Sequence, residues 1–390
     1  MRQWVRGVMG IALVSLATTV QAAPQVPAAA GPVAYLVADV ETGTVLAEKD
    51  ADKQWPPASM TKMMTVLIAL ERVRDGTMKL DEPVSVSSKA AATGGSQVYL
   101  AQGESFTLGQ MLEAVMISSA NDASVAVAEH VAGSTTAFVD LMNTRAKTLG
   151  LTGTIYQSVH GLPPEPGQQP DLTTARDLMT LGRELMRHPD AARWGGTAES
   201  TFRNGTFVMR NTNHLVRTYD GATGLKTGYY AKAGFCVTAT ARRGDLSLIA
   251  VVLGSPGKQG SFTEAARLMS EGFANYRMVV AARRGVSVGT VPVSGGSSEG
   301  VKAMAVDDLR VLVKRSDDKS IAVEARIPRL VSAPVQNRQS LGTIVVRRGD
   351  DEVASVPVIA DGEVPAVGWL SWLWNRGLAG SPAPADAKMR

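Results

Sequence analysis

The stretch from Ser59 to Leu70, SMTKMMTVLIAL, follows two prolines and reads as a helix with almost no polar face. A helix that is apolar all round belongs in the interior, covered on every side by other elements. The rest of the chain must be arranged around this segment. It also raises a chemical question, because Lys62 sits near its start and Ser59 stands three residues earlier, on the same helical face. Burial disfavours the ammonium form and draws a lysine pKa down. A neutral amine near pH 7 can take the proton of a serine, whereas an exposed lysine does so poorly. Serine in the first turn also gains from the positive end of the helix dipole. The pair therefore suits a nucleophile and its general base, although S-x-x-K alone is a spacing that many chains contain by chance.

The 390 residues exceed one ordinary domain, so two or three are expected. The formal charge, 40 − 36 = +4, is too small and too scattered to suggest a nucleic-acid partner. Residues 33–47 read as two strands around a tight turn. Helical patterns follow over Ser59–Arg74, Leu108–Ala132 and Thr136–Leu149, then a loop rich in Pro and Gly at 161–171. LTTARDLMTLGRELMR then opens a helix with Thr at its N-cap. Strand patterns occupy 221–254, and a helix over about 261–276 completes an α/β unit. After Arg284 the pattern changes to short alternating runs separated by Gly, Ser and Asp, which reads as a small all-β sandwich. The domain boundaries are set at 23–280 and 281–363.

The two ends differ from the middle. Arg2 and Arg6 precede the apolar run GVMGIALVSLA, and Val20 and Ala22 suit a signal-peptidase site, so residues 1–22 read as a signal peptide of an exported protein. Residues 364–380, VPAVGWLSWLWNRGLAG, carry Trp369, Trp372, Trp374 and Arg376, and suit an amphipathic helix lying on a membrane surface, before a flexible tail at 381–390. The single cysteine, Cys236, cannot form an intramolecular bridge and reads as a small buried hydrophobe. The four histidines show no ligand spacing, so no metal or other cofactor is expected.

Two further elements accompany Ser59 and Lys62. In MISSANDASVAVAEH, Ser119, Ala120 and Asn121 place a hydroxyl and an amide inside an apolar segment. In GATGLKTGYY, Lys226, Thr227 and Gly228 open an apolar strand, where the glycine leaves room for a substrate along the strand edge. The order S-x-x-K, S-x-N, K-T-G, at separations of about 60 and 105 residues, is hard to obtain by accident. With PASMTKMMT, ISSANDASVAVAEH, HGLP, LTTARDL, NTNHL and GLKTGYYAKAGFC, the chain resembles the low-molecular-mass penicillin-binding proteins that are serine-type D-alanyl-D-alanine carboxypeptidases.

That resemblance implies an α/β (α+β) penicillin-binding/β-lactamase-like transpeptidase fold, then the all-β sandwich and the C-terminal amphipathic helix. It implies that Ser59 is acylated, Lys62 takes its proton and Ser119 relays a proton to the leaving amine. Lys226 supplies positive charge, Asn121 holds the substrate amide, and Thr227 binds the terminal carboxylate. Backbone N–H groups of Ser59 and Tyr229 form the oxyanion hole. The implied partners are the peptidoglycan pentapeptide stem, β-lactams as covalent inhibitors, and the periplasmic face of the inner membrane. The chain departs from the family pattern at Ala120, at Tyr229 and, more consequentially, at Ser261, where relatives have a carboxylate-binding arginine. The task would pass to Thr227 and Lys226, or to Arg242, Arg243 or Lys258. A DD-endopeptidase, a serine β-lactamase and a non-catalytic cell-wall scaffold are the competing readings. The β-lactamase reading is disfavoured because the 150–185 region lacks a glutamate element to activate water, and Glu165 lies in a proline-rich loop.

Overall fold

The computed structural model describes Met1 and residues 31–368. The proposed signal peptide and the Trp-rich helix, apart from its first few residues, lie outside the described residues.

The chain enters with strands β1 (Ala34–Asp39) and β2 (Val45–Lys49), then a 3-10 turn over Ala58–Thr61 and helix α1 (Lys62–Arg74). Every residue of α1 from Lys62 to Leu70 is buried, as an all-round apolar segment requires. Next come β3 (Pro83–Ser85), α2 (Ser88–Ala92), β4 (Ser105–Thr107), α3 (Leu108–Ile117), α4 (Asn121–Ala132), α5 (Thr135–Thr148), α6 (Ala175–Leu185) and α7 (Pro189–Gly196). The hairpin β5 (Glu199–Phe202) and β6 (Phe207–Arg210) and the short α8 (Leu215–Thr218) lead into β7 (Ala222–Tyr230), β8 (Gly234–Arg243), β9 (Leu246–Ser255) and α9 (Lys258–Asn275).

The central sheet has the order β2-β1-β9-β8-β7, all antiparallel neighbours, which leaves β7 at an edge. On β9, Ile249, Val251 and Leu253 face the helical layer built on α1, while Leu248, Ala250 and Val252 face α9. A strand covered on both faces needs apolar side chains on both, which is why LSLIAVVLG reads as a continuous run.

Two elements depart from expectation. The helical pattern over Leu108–Ala132 is broken into α3 and α4, with Ser119 at φ 60° between them. The periodicity survives the break because both helices bury apolar faces in the same core. Residues 189–210, unassigned in the sequence, form α7 and the β5–β6 hairpin.

The remaining strands are β10 (Tyr276–Ala282), β11 (Ser287–Ser294), β12 (Gly300–Ala305), β13 (Leu309–Lys314), β14 (Ile321–Arg326), β15 (Val331–Ser332), β16 (Ser340–Arg348) and β17 (Asp351–Asp361). They form a β10-β13 pair and a sheet of order β14-β16-β17-β12-β11-β15 around a separate apolar core that includes Val291, Val313, Leu341, Val346 and Val358. Strand β10 spans the expected 280/281 boundary, and its partner is β13.

Candidate active site

Ser59 lies in the 3-10 turn, one residue after Ala58 in a left-handed conformation (φ 49°), and not in α1 itself. Side chains three residues apart eclipse in a 3-10 turn, and Ser59 Oγ and Lys62 Nζ are hydrogen-bonded at 2.9 Å. Lys62 Nζ also donates to the His160 carbonyl at 2.6 Å. Lys62 is fully buried, whereas Ser59 is half-buried and reachable from solvent.

The break between α3 and α4 aims Ser119 at a second buried amine, with Lys226 Nζ 2.8 Å from Ser119 Oγ. Asn121 begins α4; its N–H donates to the Ser96 carbonyl and its Nδ2 to the Gly94 carbonyl, both at 2.7 Å. Its Oδ1 is buried and has no partner among the described residues. A buried acceptor left open is costly unless something else fills it.

Lys226, Thr227, Gly228 and Tyr229 lie on the edge strand β7. The space made by Gly228 is not open to a substrate: a Cβ there would sit 2.4 Å from the Pro57 carbonyl and 3.1 Å from Ser59 N. The glycine instead lets β7 press against the turn carrying Ser59. Thr227 Oγ1 donates to Thr212 Oγ1 at 2.7 Å, and the exposed Tyr229 ring stacks on Phe235 with centroids 4.1 Å apart.

Burial first, then the like charge of Lys226, holds Lys62 well below the usual lysine range. Burial pulls Lys226 down to about 7. His160 is pulled down to about 3 by burial and then by Lys62, so its ring is neutral at pH 7. Burial pushes the Cys236 thiol up to about 12, consistent with a buried apolar role.

Of the proposed stand-ins for the missing arginine, two lie elsewhere. Thr227 pairs with Val237 across β7–β8, and Arg242 is five residues further along β8, about 17 Å at the usual rise per strand residue. Arg242 donates to the Gly244 carbonyl and Arg243 to that of Asp220. Ser261 Oγ donates to the Lys258 carbonyl at 2.8 Å and is spent within its own helix. The sequence reading passed over His160, Thr212, Asp122 and Asp171. Asp122 accepts from the backbone N–H groups of Val98 and Leu100 and ties the 94–100 loop above Asn121. The only signals for these residues were an aspartate after S-A-N and a lone aspartate closing the proline-rich loop.

A reachable serine bonded to a buried, deprotonation-prone lysine, faced by a second serine–lysine pair, defines a serine hydrolase that uses lysine in place of histidine. The chain belongs to the D-alanyl-D-alanine carboxypeptidase family, Peptidase_S11, whose signature matches residues 17–257. The C-terminal domain of penicillin-binding protein 5 matches residues 276–366. The chain is 34% identical to the D-alanyl-D-alanine carboxypeptidase DacF of Bacillus subtilis over 85% of this chain and 86% of that one. Penicillin-binding protein 5 of Haemophilus influenzae is similar in structure, at TM-score 0.68 and 26% identity, over 86% of this chain and 97% of that one. Penicillin-binding protein D2 of Listeria monocytogenes, in its ampicillin-bound form, matches 62% of this chain and 97% of its own at TM-score 0.57 and 30% identity.

Proposed function

We propose that the protein removes the terminal D-alanine from peptidoglycan pentapeptides through an acyl-enzyme on Ser59. The observation that carries this is the meeting of two serine–lysine pairs, Ser59 with Lys62 and Ser119 with Lys226, beside the open Oδ1 of Asn121. Lys62 accepts the Ser59 proton as Oγ bonds to the carbonyl carbon of the penultimate D-alanine. Ser119 passes a proton to the departing amine, and D-alanine leaves. Water then cleaves the Ser59 ester, which releases the shortened stem. The backbone N–H groups of Ser59 and Tyr229 stabilise the oxyanion; a donor of that kind is typically worth about 3–4 kcal/mol. Lys226 and Thr227 hold the terminal carboxylate, with Lys258 the one remaining cation of those considered.

A β-lactam would acylate Ser59 in the same way and stay, since the 150–185 region lacks a glutamate element to activate water and Glu165 is exposed on its loop. The N-terminal segment and the Trp-rich C-terminal segment support an exported protein held at the periplasmic face of the inner membrane. The 23–280 and 281–363 divisions would then separate catalysis from spacing.

The deciding experiment is mass analysis of products from a pentapeptide muropeptide and from a cross-linked dimer, with fluorescent penicillin labelling alongside. Loss of one D-alanine from the pentapeptide, with Ser59→Ala abolishing both release and labelling, is expected. Cleavage of the dimer alone would make the protein an endopeptidase, and no labelling would make it a scaffold.

A further inference from the structure

The loop between α5 and α6 presents the His160 carbonyl to Lys62, and its hold on that position is concentrated in one buried carboxylate. Asp171 Oδ1 accepts from the Gln157 and Ser158 N–H groups at 2.6 and 2.9 Å. Its Oδ2 accepts from Ser158 Oγ at 2.7 Å and from Thr61 Oγ1, next to Lys62, at 3.1 Å. Ser158 Oγ in turn accepts the Gly161 N–H at 2.8 Å, which closes the turn around His160. Thr65 Oγ1 adds a bond to the Val159 carbonyl at 2.8 Å. The loop also borders a cavity of about 680 Å³ lined by Asn143, Tyr156, His160, Leu162 and Asp171.

We propose that Asp171 is a positioning residue for acylation: through Ser158 and Thr61 it clamps the 157–161 turn so that the His160 carbonyl holds Lys62 against Ser59. All four of its bonds come from neutral donors, so its charge is directed at no cation of its own. The ionisable groups facing Lys62 are Lys226 on β7, Asp122 on α4, and His160 and Asp171 on the loop. Lys226 lowers the proton affinity of Lys62; Asp171 and Asp122 raise it. Asp171 thus offsets part of the lowering while fixing the geometry.

The proposal rests on acylation at Ser59, and the test reads the pH dependence of the acylation rate with a chromogenic cephalosporin on the full chain. Asp171→Asn keeps the shape but removes the charge, so Lys62 loses its proton at lower pH. The acid limb of the profile is therefore expected to move to lower pH. Ser158→Ala keeps the charge but cuts the tether, so acylation should slow about 10- to 100-fold, with Ser158→Thr restoring it. An unmoved limb in a folded Asp171→Asn variant overturns the proposal. So does wild-type acylation in Ser158→Ala, even with a lowered melting temperature, and that result decides alone if Asp171→Asn does not fold. A wild-type chain that is never acylated would instead sink the functional reading beneath it.

Discussion

The catalytic region and the C-terminal β region use their interiors differently. Residues 31–275 bury Asp39, Lys62, Asp122, Asp171, Asp177 and Lys226, whereas no charged side chain of residues 276–368 is buried among the described residues. In the β region the charges stand outside, as in the half-exposed pairs of Arg326 with Glu324 and Glu352. Removing charge from water is expensive unless it is compensated. The region that bears that cost is the one holding the serine–lysine pairs, and buried lysines with a lowered pKa are the kind of group that clusters at functional sites. The β region keeps an interior of Val, Ala, Leu and Ile, which suits an element that only has to stay folded.

The comparison can be broken most sharply at Lys62. Lys62→Met replaces a buried amine with an apolar side chain of similar length, and loss of a general base typically costs about 10²–10⁴-fold in rate. Penicillin acylation should fall by that order in a variant that still folds, with the melting temperature set by the loss of a buried amine that has no ion-pair partner against the loss of its two hydrogen bonds, to Ser59 Oγ and the His160 carbonyl. A variant that acylates normally would detach the buried charge from function.

The converse substitution lies in the β core. Leu341→Ala should lower stability by about 2–5 kcal/mol in a denaturant melt, with the rate of acylation unchanged. A loss of activity matching the loss of stability would mean that the two regions are energetically one.

The smallest effect concerns pH and Lys226, whose pKa is near 7 against about 10.4 in an unfolded chain. Between those values the unfolded chain binds a proton that the folded one lacks. Stability conferred by this site is therefore present above the unfolded value and lost as pH falls towards 7. Lys226→Met should flatten that slope in melts run between pH 7 and 10. On the role proposed for Lys226, its charge fades above pH 7, so kcat/KM for the pentapeptide should decline by at most about tenfold per pH unit. A profile that keeps rising would remove Lys226 as the carboxylate's electrostatic partner.

Much of this was legible without coordinates because the signals are local. The apolar run after Pro57 announced a central helix, i and i+3 spacing joined Ser59 to Lys62, and LSLIAVVLG announced a strand. Other relations were not legible, since nothing in their spacing tells which residues meet. Lys226 reaches Ser119 across 107 residues and Asp171 reaches Thr61 across 110. Gly228 looked like room for a ligand because a missing side chain does not say what fills its place. Arg242 looked near the site because proximity along a strand was taken for proximity in space.

By itself the sequence determined that its apolar segments would be withdrawn from water and take Lys62 with them, since hydrophobic patterning acts within each segment and Lys62 has no polar face on which to escape. Which withdrawn groups would face one another was decided only by the tertiary structure. Pairing β7 at the sheet edge and breaking the helix at Ser119 brought two amines and two hydroxyls together, and a charge's behaviour out of water depends on its neighbours.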